Sequence, residues 1–284
     1  MAQDDWREQK RRVWDALAPA WERHRVDFAE RTRPVSEWLV EHLDARPGDV
    51  ILELAAGTGE TGFLVAPVLG HAGRLISTDL SPAMLQAARN SAAGRGVRNV
   101  EFRVADLLEI PLEDASVDGV LCRWGYQQVP DPGRALREAH RVLRRRRRIC
   151  ISVWADGSRN PLDAALTAAL AEMDAPATRR PAPYSAPVPA LETAEEVGMM
   201  LCEADLVDVL VQEHDLRWRF ADGADLWAFV SDLFGGAAMR IAALEPADRA
   251  TVHESLVAAL AGFRTEHGGY DVPALCLNAT AACP

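Results

Sequence analysis

The ten residues Glu53-Leu54-Ala55-Ala56-Gly57-Thr58-Gly59-Glu60-Thr61-Gly62 limit what this chain can fold into more than any other stretch. They follow a short apolar run, Val50 to Leu54, that reads as a buried strand, and they lead into a helical pattern from Glu60 to Leu69. A glycine-rich turn between strand and helix is the opening of a βαβ unit, and the alternation continues downstream. Arg74 to Asp79 reads as a second strand. Ser81 and Pro82 then supply an N-cap and a first-turn proline for a helix from Ala83 to Ala93. Val100 to Ala105 and Val117 to Arg123 are further strands, Arg134 to Arg144 a helix, and Ile149 to Trp154 a fifth strand. Strands alternating with helices of this length predict right-handed crossovers and a doubly wound parallel sheet, an α/β fold.

The flanks are helical or loosely patterned. Over residues 4 to 30, Trp6, Val13, Trp14, Leu17, Trp21 and Phe28 recur at helical spacing, and Pro19 is expected to break the stretch into two helices. A third helix is expected from Val35 to Leu43, closed by a turn at Arg46-Pro47-Gly48-Asp49. Beyond Trp154 the pattern predicts a helix over 161–173, an irregular loop over 176–190 with its five prolines, a helix from Thr193 to Ala204 and a long strand from Val207 to Phe220. Residues 224–235 and 246–266 read as helices, and Val272 to Thr280 as a closing strand. No repeat or linker stands out. The expected organisation is an N-terminal helical lid over 1–45 and one elaborated domain over 46–284.

Composition narrows the class. Of 284 residues 49% are hydrophobic, enough for a sizeable core, and a formal net charge of -11 argues against a general nucleic-acid binder. No run approaches the roughly 18 apolar residues of a membrane helix, and Met1 to Arg12 is charged, without the apolar centre of a secretory signal. Cys122, Cys150, Cys202, Cys276 and Cys283 form neither a CxxC pair nor a zinc-spaced cluster. Free thiols in a reducing, cytoplasmic setting are the expectation.

In an open α/β sheet, ligands bind beyond the carboxyl ends of the strands. The loop after the first strand holds G-x-G-x-x-G at 57, 59 and 62, where glycine lets ligand atoms approach the backbone. Asp79 follows the second strand, 20 residues beyond Gly59, and a carboxylate there can accept hydrogen bonds from a ribose diol or cap the next helix. Asp106 follows the third strand, where it can accept from an exocyclic adenine amino group or simply close a turn.

Taken jointly, Glu53-x-Ala55-x-Gly57-x-Gly59, Asp79, Ala105-Asp106 and Val129-Pro130-Asp131-Pro132-x-x-Ala135-Leu136-x-Glu138-x-x-Arg141-Val142-Leu143 resemble a class I S-adenosylmethionine-dependent methyltransferase of the ubiquinone/menaquinone-biosynthesis type. The resemblance is strong over residues 45–155 and weaker in the tail. It implies a Rossmann-like seven-stranded sheet whose last strand is antiparallel, with S-adenosyl-L-methionine across the first four strands. Gly57 and Gly59 would then pass under the methionine and ribose, Asp79 would bind the ribose hydroxyls and Leu80 would pack on the adenine. Asp106 and Leu107 would hold the adenine edge, and Arg123 and Trp124 would lie beside the methionyl portion. Glu53 would organise the loop, with Ala55, Thr58, Met84 and Ala105 completing the cofactor-binding set. Residues 156–204 and 222–267 would cover a small or medium organic acceptor methylated at O, C or N, as in secondary metabolism. Neither nucleic acid nor membrane is an expected partner, and homodimerisation is left open.

Two departures stand out. Ala56 occupies a position where relatives often have Cys or Gly, and Arg144 to Arg148 replaces a Pro-Gly-Gly turn, giving a solvated turn expected to cost stability rather than activity. The competing readings are a protein that binds the cofactor without methylating and an NAD-dependent oxidoreductase. The latter fits less well, because Glu53 and Glu60 flank the place a pyrophosphate would occupy. No metal-ligand cluster is evident and no catalytic base can be named. His42, His71 and His140 read as surface or structural, while His24, His214, His253, His267, Tyr126 and Gln127 are freer to face an acceptor.

Overall fold

The computed structural model describes residues 2–173 and 191–284, so the proline-rich loop expected over 176–190 lies outside the described residues. Contiguous apolar runs form the middle of a sheet. In β1 (Val50–Leu54), Ile51 and Leu52 are fully buried, as a strand covered on both faces requires. It pairs in parallel with β2 (Arg74–Asp79) on one side and β4 (Val117–Arg123) on the other. β3 (Val100–Val104) adds to β2 and β5 (Leu143–Trp154) to β4, again in parallel. With β6 (Val207–Phe220) and β7 (Tyr270–Ala282) the order is β3-β2-β1-β4-β5-β7-β6, and β7 runs antiparallel to β5. The expected doubly wound sheet with an antiparallel last strand is the one observed. Chain direction across the sheet reverses between β1 and β4, so the loops after them open on a crevice.

The helices start where the sequence punctuates them. Ser81 accepts from the Met84 N–H at the head of α3 (Pro82–Arg95), and Asp131 accepts from Arg134 at the head of α4 (Pro132–Val142), each with proline in the first turn. α2 (Gly62–Leu69) follows the glycine-rich turn. The N-terminal segment departs from expectation, because α1 (Ala2–His42) is one helix of 41 residues with Pro19 and Pro34 inside it. An internal proline removes a hydrogen bond and costs about 3 kcal/mol. Here burial holds the helix on both sides of each break, with Leu17, Ala18 and Ala20 around the first proline and Val35 and Leu39, both fully buried, beyond the second.

The arginine run is the second correction. α4 ends at Val142 and β5 begins at Leu143, so Arg144 to Arg148 lie within a strand, with Arg144, Arg145 and Arg146 exposed to solvent as expected. Arg146 takes a positive φ of 60° and the β4–β5 register shifts between Val117 and Gly119, which gives the run the turning that glycines would have supplied. Arg144 donates to Asp118 at 2.6 Å, and Arg147 donates to Asp49 at 2.5 Å and to Asp118 at 3.1 Å. The Val50 N–H also reaches Asp118, at 3.0 Å, so these charges tie together the amino ends of β1, β4 and β5.

The chain divides into two compact units, which do not follow the boundaries expected from sequence. The first holds residues 2–154, 191–214 and 276–284, α1 included, with α6 (Ala194–Glu203) packed on α4. The second holds residues 155–173 and 215–275. Within it α5 (Pro161–Met173) packs on α8 (Gly235–Ala243) and α9 (Pro246–Ala259), and α7 (Gly223–Leu233) packs on α8. Phe229 makes ring contacts with Trp218, Phe220 and Phe234 in its core. Among the described residues no single helix is long and apolar enough to cross a membrane.

Burial pushes the Asp118 carboxyl up, but the Val50 N–H, Arg144 and Arg147 outweigh it and hold the group below the usual carboxylate range. A depressed carboxylate stabilises the fold above its unfolded value and loses that contribution as pH falls through the folded value. Arg147→Ala should therefore lower stability by about 2 kcal/mol at pH 7, the range for hydrogen bonds to charged groups. Urea denaturation should show the gap from the parent closing below about pH 4. A gap that stays constant into acid would disprove the pairing.

Candidate functional site

The carboxyl ends of β1 to β4 bring most of the sequence-predicted residues to one edge of the first unit. After β1, Ala55, Gly57 and Gly59 take positive φ values of 49°, 56° and 83°, so the backbone coils tightly before α2. Two hydrogen bonds fix the coil, from Ala56 N to Thr78 O and from Gly59 N to Ala56 O, both 2.9 Å. At Gly57 a Cβ would meet nothing, which leaves open space directly in front of the main chain. At Gly59 a Cβ would collide with the Phe63 ring, so that glycine is required by packing as well as by φ. Thr58 is buried beside them.

Glu53 anchors this loop from inside. One carboxylate oxygen accepts from Gly62 N at 2.7 Å, the other from Ser77 Oγ at 3.0 Å, and the Glu53 carbonyl accepts from Thr78 Oγ1 at 2.7 Å. With 3% of the residue exposed, burial pushes its pKa up to about 7 against the pull of those donors and of Arg123. Asp79 accepts from Gly57 N at 2.8 Å and from Ser81 N at 2.9 Å, so one carboxylate joins the β1 loop to the head of α3. Burial pushes it up to about 6. Leu80 is half-buried, whereas Met84 is 2% exposed and backs the loop from within the core.

After β3, Asp106 accepts from Leu108 N at 2.9 Å and pairs with Arg7 of α1, whose guanidinium also reaches Glu109 at 2.9 Å. Ala105 and Leu107 are each 6% exposed. α1 touches the Asp79 loop too, because Asp15 accepts from Ser81 Oγ at 2.6 Å. Neither Arg7 nor Asp15 was legible in the sequence, since contacts across so many residues carry no local pattern.

Arg123 and Trp124 close the group at the end of β4. Trp124 takes a positive φ of 62°, costly for a bulky residue, and is held there by its N–H to Ser152 O at 2.7 Å and by stacking on Trp154 at 4.3 Å between centroids. A ladder of edge contacts runs back along α1 through Phe28, Trp21 and Trp14, spaced by seven residues on one helix face. That spacing is visible in the sequence; its continuation to Trp124 and Trp154 is not. The Arg123 guanidinium donates through Nη1 to Thr32 Oγ1 at 2.5 Å and Ser36 Oγ at 3.3 Å, and lies over the Trp124 and Phe28 rings at 4.6 and 5.5 Å. Thr32 and Ser36, two hydroxyls one turn apart in an apolar helix stripe, were the overlooked signal.

Of two residues considered near the acceptor, one is sealed in the core and the other is engaged by the backbone. Tyr126 is fully buried, and desolvation raises its phenol well above the ordinary value. Gln127 clamps the Trp154 backbone, donating to its carbonyl at 2.8 Å and accepting from its N–H at 2.6 Å. In the second unit His253 stacks on Trp227. Among the described residues no group of His, Cys, Asp or Glu could hold a metal ion.

A seven-stranded sheet of this order, with an acid after β2, an acid after β3 and a glycine coil after β1, defines a Rossmann-like nucleoside-binding fold. Residues 45–201 match the family described as a methyltransferase domain, and the chain belongs to that family. It is 37% identical over 108 residues to the ubiquinone/menaquinone biosynthesis C-methyltransferase UbiE of Brucella anthropi, covering 38% of this chain and 40% of that one. It is 35% identical over 106 residues to the arsenite methyltransferase of Halobacterium salinarum, covering 37% and 27%. The matches thus span less than half the length of these relatives. The fold is similar to that of the YcgJ protein of Bacillus subtilis, with a TM-score of 0.61, 18% identity and coverage of 88% and 98%.

The raised Glu53 pKa has a measurable consequence. The folded state keeps a proton that the unfolded chain releases near pH 4.3, so stability falls as pH rises from there to about 7. Glu53→Gln keeps an acceptor for Gly62 N and cannot ionise. Its urea midpoint should fall less between pH 5 and pH 8 than the parent's. An identical fall in both proteins would place the titration elsewhere.

Proposed function

We propose that this chain transfers the methyl group of S-adenosyl-L-methionine to a small or medium organic acceptor, at oxygen, carbon or nitrogen. The carrying observation is the hydrogen bond from Gly57 N to Asp79, with open space in front of Gly57. It holds the ribose-binding carboxylate against the one point of the turn where a ligand can lie on bare backbone.

The residues fit the cofactor one by one. Each Asp79 oxygen already accepts one backbone N–H and retains a lone pair, so a ribose diol can donate to both. Leu80 offers a half-buried apolar surface to the adenine ring, and Asp106 with Ala105 and Leu107 meets its edge. Ala55, Thr58 and Gly59 give the backbone its curve under the methionine, while Glu53 and Met84 support the loop from behind. Arg123 and Trp124 stand at the methionyl end. Bound there, the cofactor supplies an electrophilic methyl group on a sulfonium sulfur. An oxygen, nitrogen or nucleophilic carbon of the acceptor would have to lie in line with that group, and Arg123, Trp124 and the coil after β1 would hold the methionyl end for it. The chain's part is alignment, which alone removes a large share of such a barrier. Aromatic faces along α1 and at Trp124 suit a cationic sulfur.

Calorimetric titration with S-adenosylmethionine, S-adenosylhomocysteine and NAD tests this. The first two should bind and NAD should not; binding of NAD alone would overturn the proposal. Asp79→Ala and Asp106→Ala should each weaken S-adenosylhomocysteine binding by about tenfold or more, as expected for hydrogen bonds to a charged group. Unchanged affinity in both would sink the assignment of these loops.

A further inference from the structure

Arg123 differs from Arg7, Arg95, Arg141 and Arg147 of the first unit. Arg7 has Asp106 and Glu109, Arg95 has Glu60, Arg141 has Glu138 and Asp114, and Arg147 has Asp49 and Asp118. No carboxylate among the described residues lies within 4.0 Å of Arg123, although it is half-buried. Its nearest acids are occupied: Glu53 by Gly62 N and Ser77, Glu60 by Ser91, Arg95 and, at 4.0 Å, Arg25. Only Nη1 makes hydrogen bonds, both to the α1 hydroxyls of Thr32 and Ser36, and neither Nε nor Nη2 is sealed away from access.

A guanidinium in this state is costly. Desolvation lowers its pKa to about 10 against the distant pull of Glu53 and Glu60. Buried charges are normally paired, and arginine's planar fork is matched to a bidentate oxygen anion. Two hydroxyls and two ring faces fix the fork's plane before any ligand arrives, so little further ordering is needed on binding. The surroundings are aromatic, with Phe28 in edge contact with Trp124 and Trp124 stacked on Trp154.

We infer that Arg123, oriented by Thr32 and Ser36, is the receptor for an acidic oxygen group on the bound reactants, and that the acceptor is an aromatic acid or acidic phenol. The inference rests on the methyltransferase reading for the identity of the site. The same chemistry has a second source, the α-carboxylate of the cofactor, and the two are separable.

The test compares the parent with Arg123→Met, which keeps the stem and removes the charge, and Arg123→Lys, which keeps the charge and removes the fork. Thermal melts confirm that each is folded. Binding of 4-hydroxybenzoate and of 4-hydroxybenzamide is followed by tryptophan fluorescence, with and without saturating S-adenosylhomocysteine. In a separate titration, S-adenosylhomocysteine is compared with decarboxylated S-adenosylmethionine. If the acceptor is the source, the parent binds the acid at least about tenfold more tightly than the amide. Arg123→Met then loses that preference, Arg123→Lys keeps part of it, and S-adenosylhomocysteine affinity is unchanged. If the cofactor is the source, Arg123→Met weakens S-adenosylhomocysteine by a similar factor and leaves the decarboxylated compound untouched. A parent with no preference for the acid, together with unchanged S-adenosylhomocysteine affinity in Arg123→Met, overturns the inference and leaves Arg123 as packing for α1. Failure of the parent to bind S-adenosylhomocysteine would instead strike at the methyltransferase reading, while the acid–amide comparison without cofactor still reports on Arg123.

Discussion

A carboxylate inside a sheet is tolerable only where donors surround it, and Glu53 sits at the end of β1 with donors from three directions. Gly62 N comes from the first turn of α2, Ser77 Oγ from β2, and Arg123 adds a longer-range positive charge from β4. Replacing any of these contacts with water is impossible at 3% exposure, so the coil between β1 and α2 has one low-energy path. Along that path Gly57 N meets Asp79 and the main chain at Gly57 faces open space. The geometry of the ligand edge therefore follows from an acid that is itself out of a ligand's reach. This is also why Glu53 and Asp79, both acidic and both near the glycines, do different work: one has its oxygens turned into the sheet, the other joins the β1 loop to the head of α3.

α1 completes the edge from the other side. Its residues at positions 7 and 15 reach the loops after β3 and β2, its hydroxyls at 32 and 36 reach Arg123, and Ser36 also meets Thr61 at the start of α2. A helix broken at Pro19 could not hold both ends in register. The aromatic ladder from Trp14 to Trp154 supplies a continuous side-chain contact across that proline, so packing carries the alignment where a backbone hydrogen bond is missing. Continuity of α1 is thus a condition for the site as much as a feature of the fold.

Legibility in the sequence followed the range of the interactions. Strands β1 to β4, the cap of α3 and the glycine coil are written in contiguous residues and are found where the periodicity and turn residues put them, whereas β5 begins at Leu143 rather than Ile149. The order of the sheet and the antiparallel last strand came from the resemblance, since no local pattern encodes pairing between segments more than 100 residues apart. The two errors have a common cause. Pro19 and the Arg144 to Arg148 run were judged by local propensity, and both are governed by distant partners, buried apolar neighbours in one case and Asp49 and Asp118 in the other. Arg7, Asp15, Thr32 and Ser36 escaped for the same reason.

The arginines divide by end of the sheet. At the amino ends of β1, β4 and β5, Arg144 and Arg147 are matched to Asp49 and Asp118, and the charges cancel within the structure. At the carboxyl end of β4, Arg123 is more deeply desolvated and given hydroxyls in place of carboxylates. Hydroxyls orient a guanidinium without neutralising it, so the positive charge persists at the carboxyl edge of the sheet. A chain selected only for stability would place an acid at 32 or 36, where Nη1 already points. Keeping that position neutral leaves the site one anion short, and the missing charge is one that a reactant can bring.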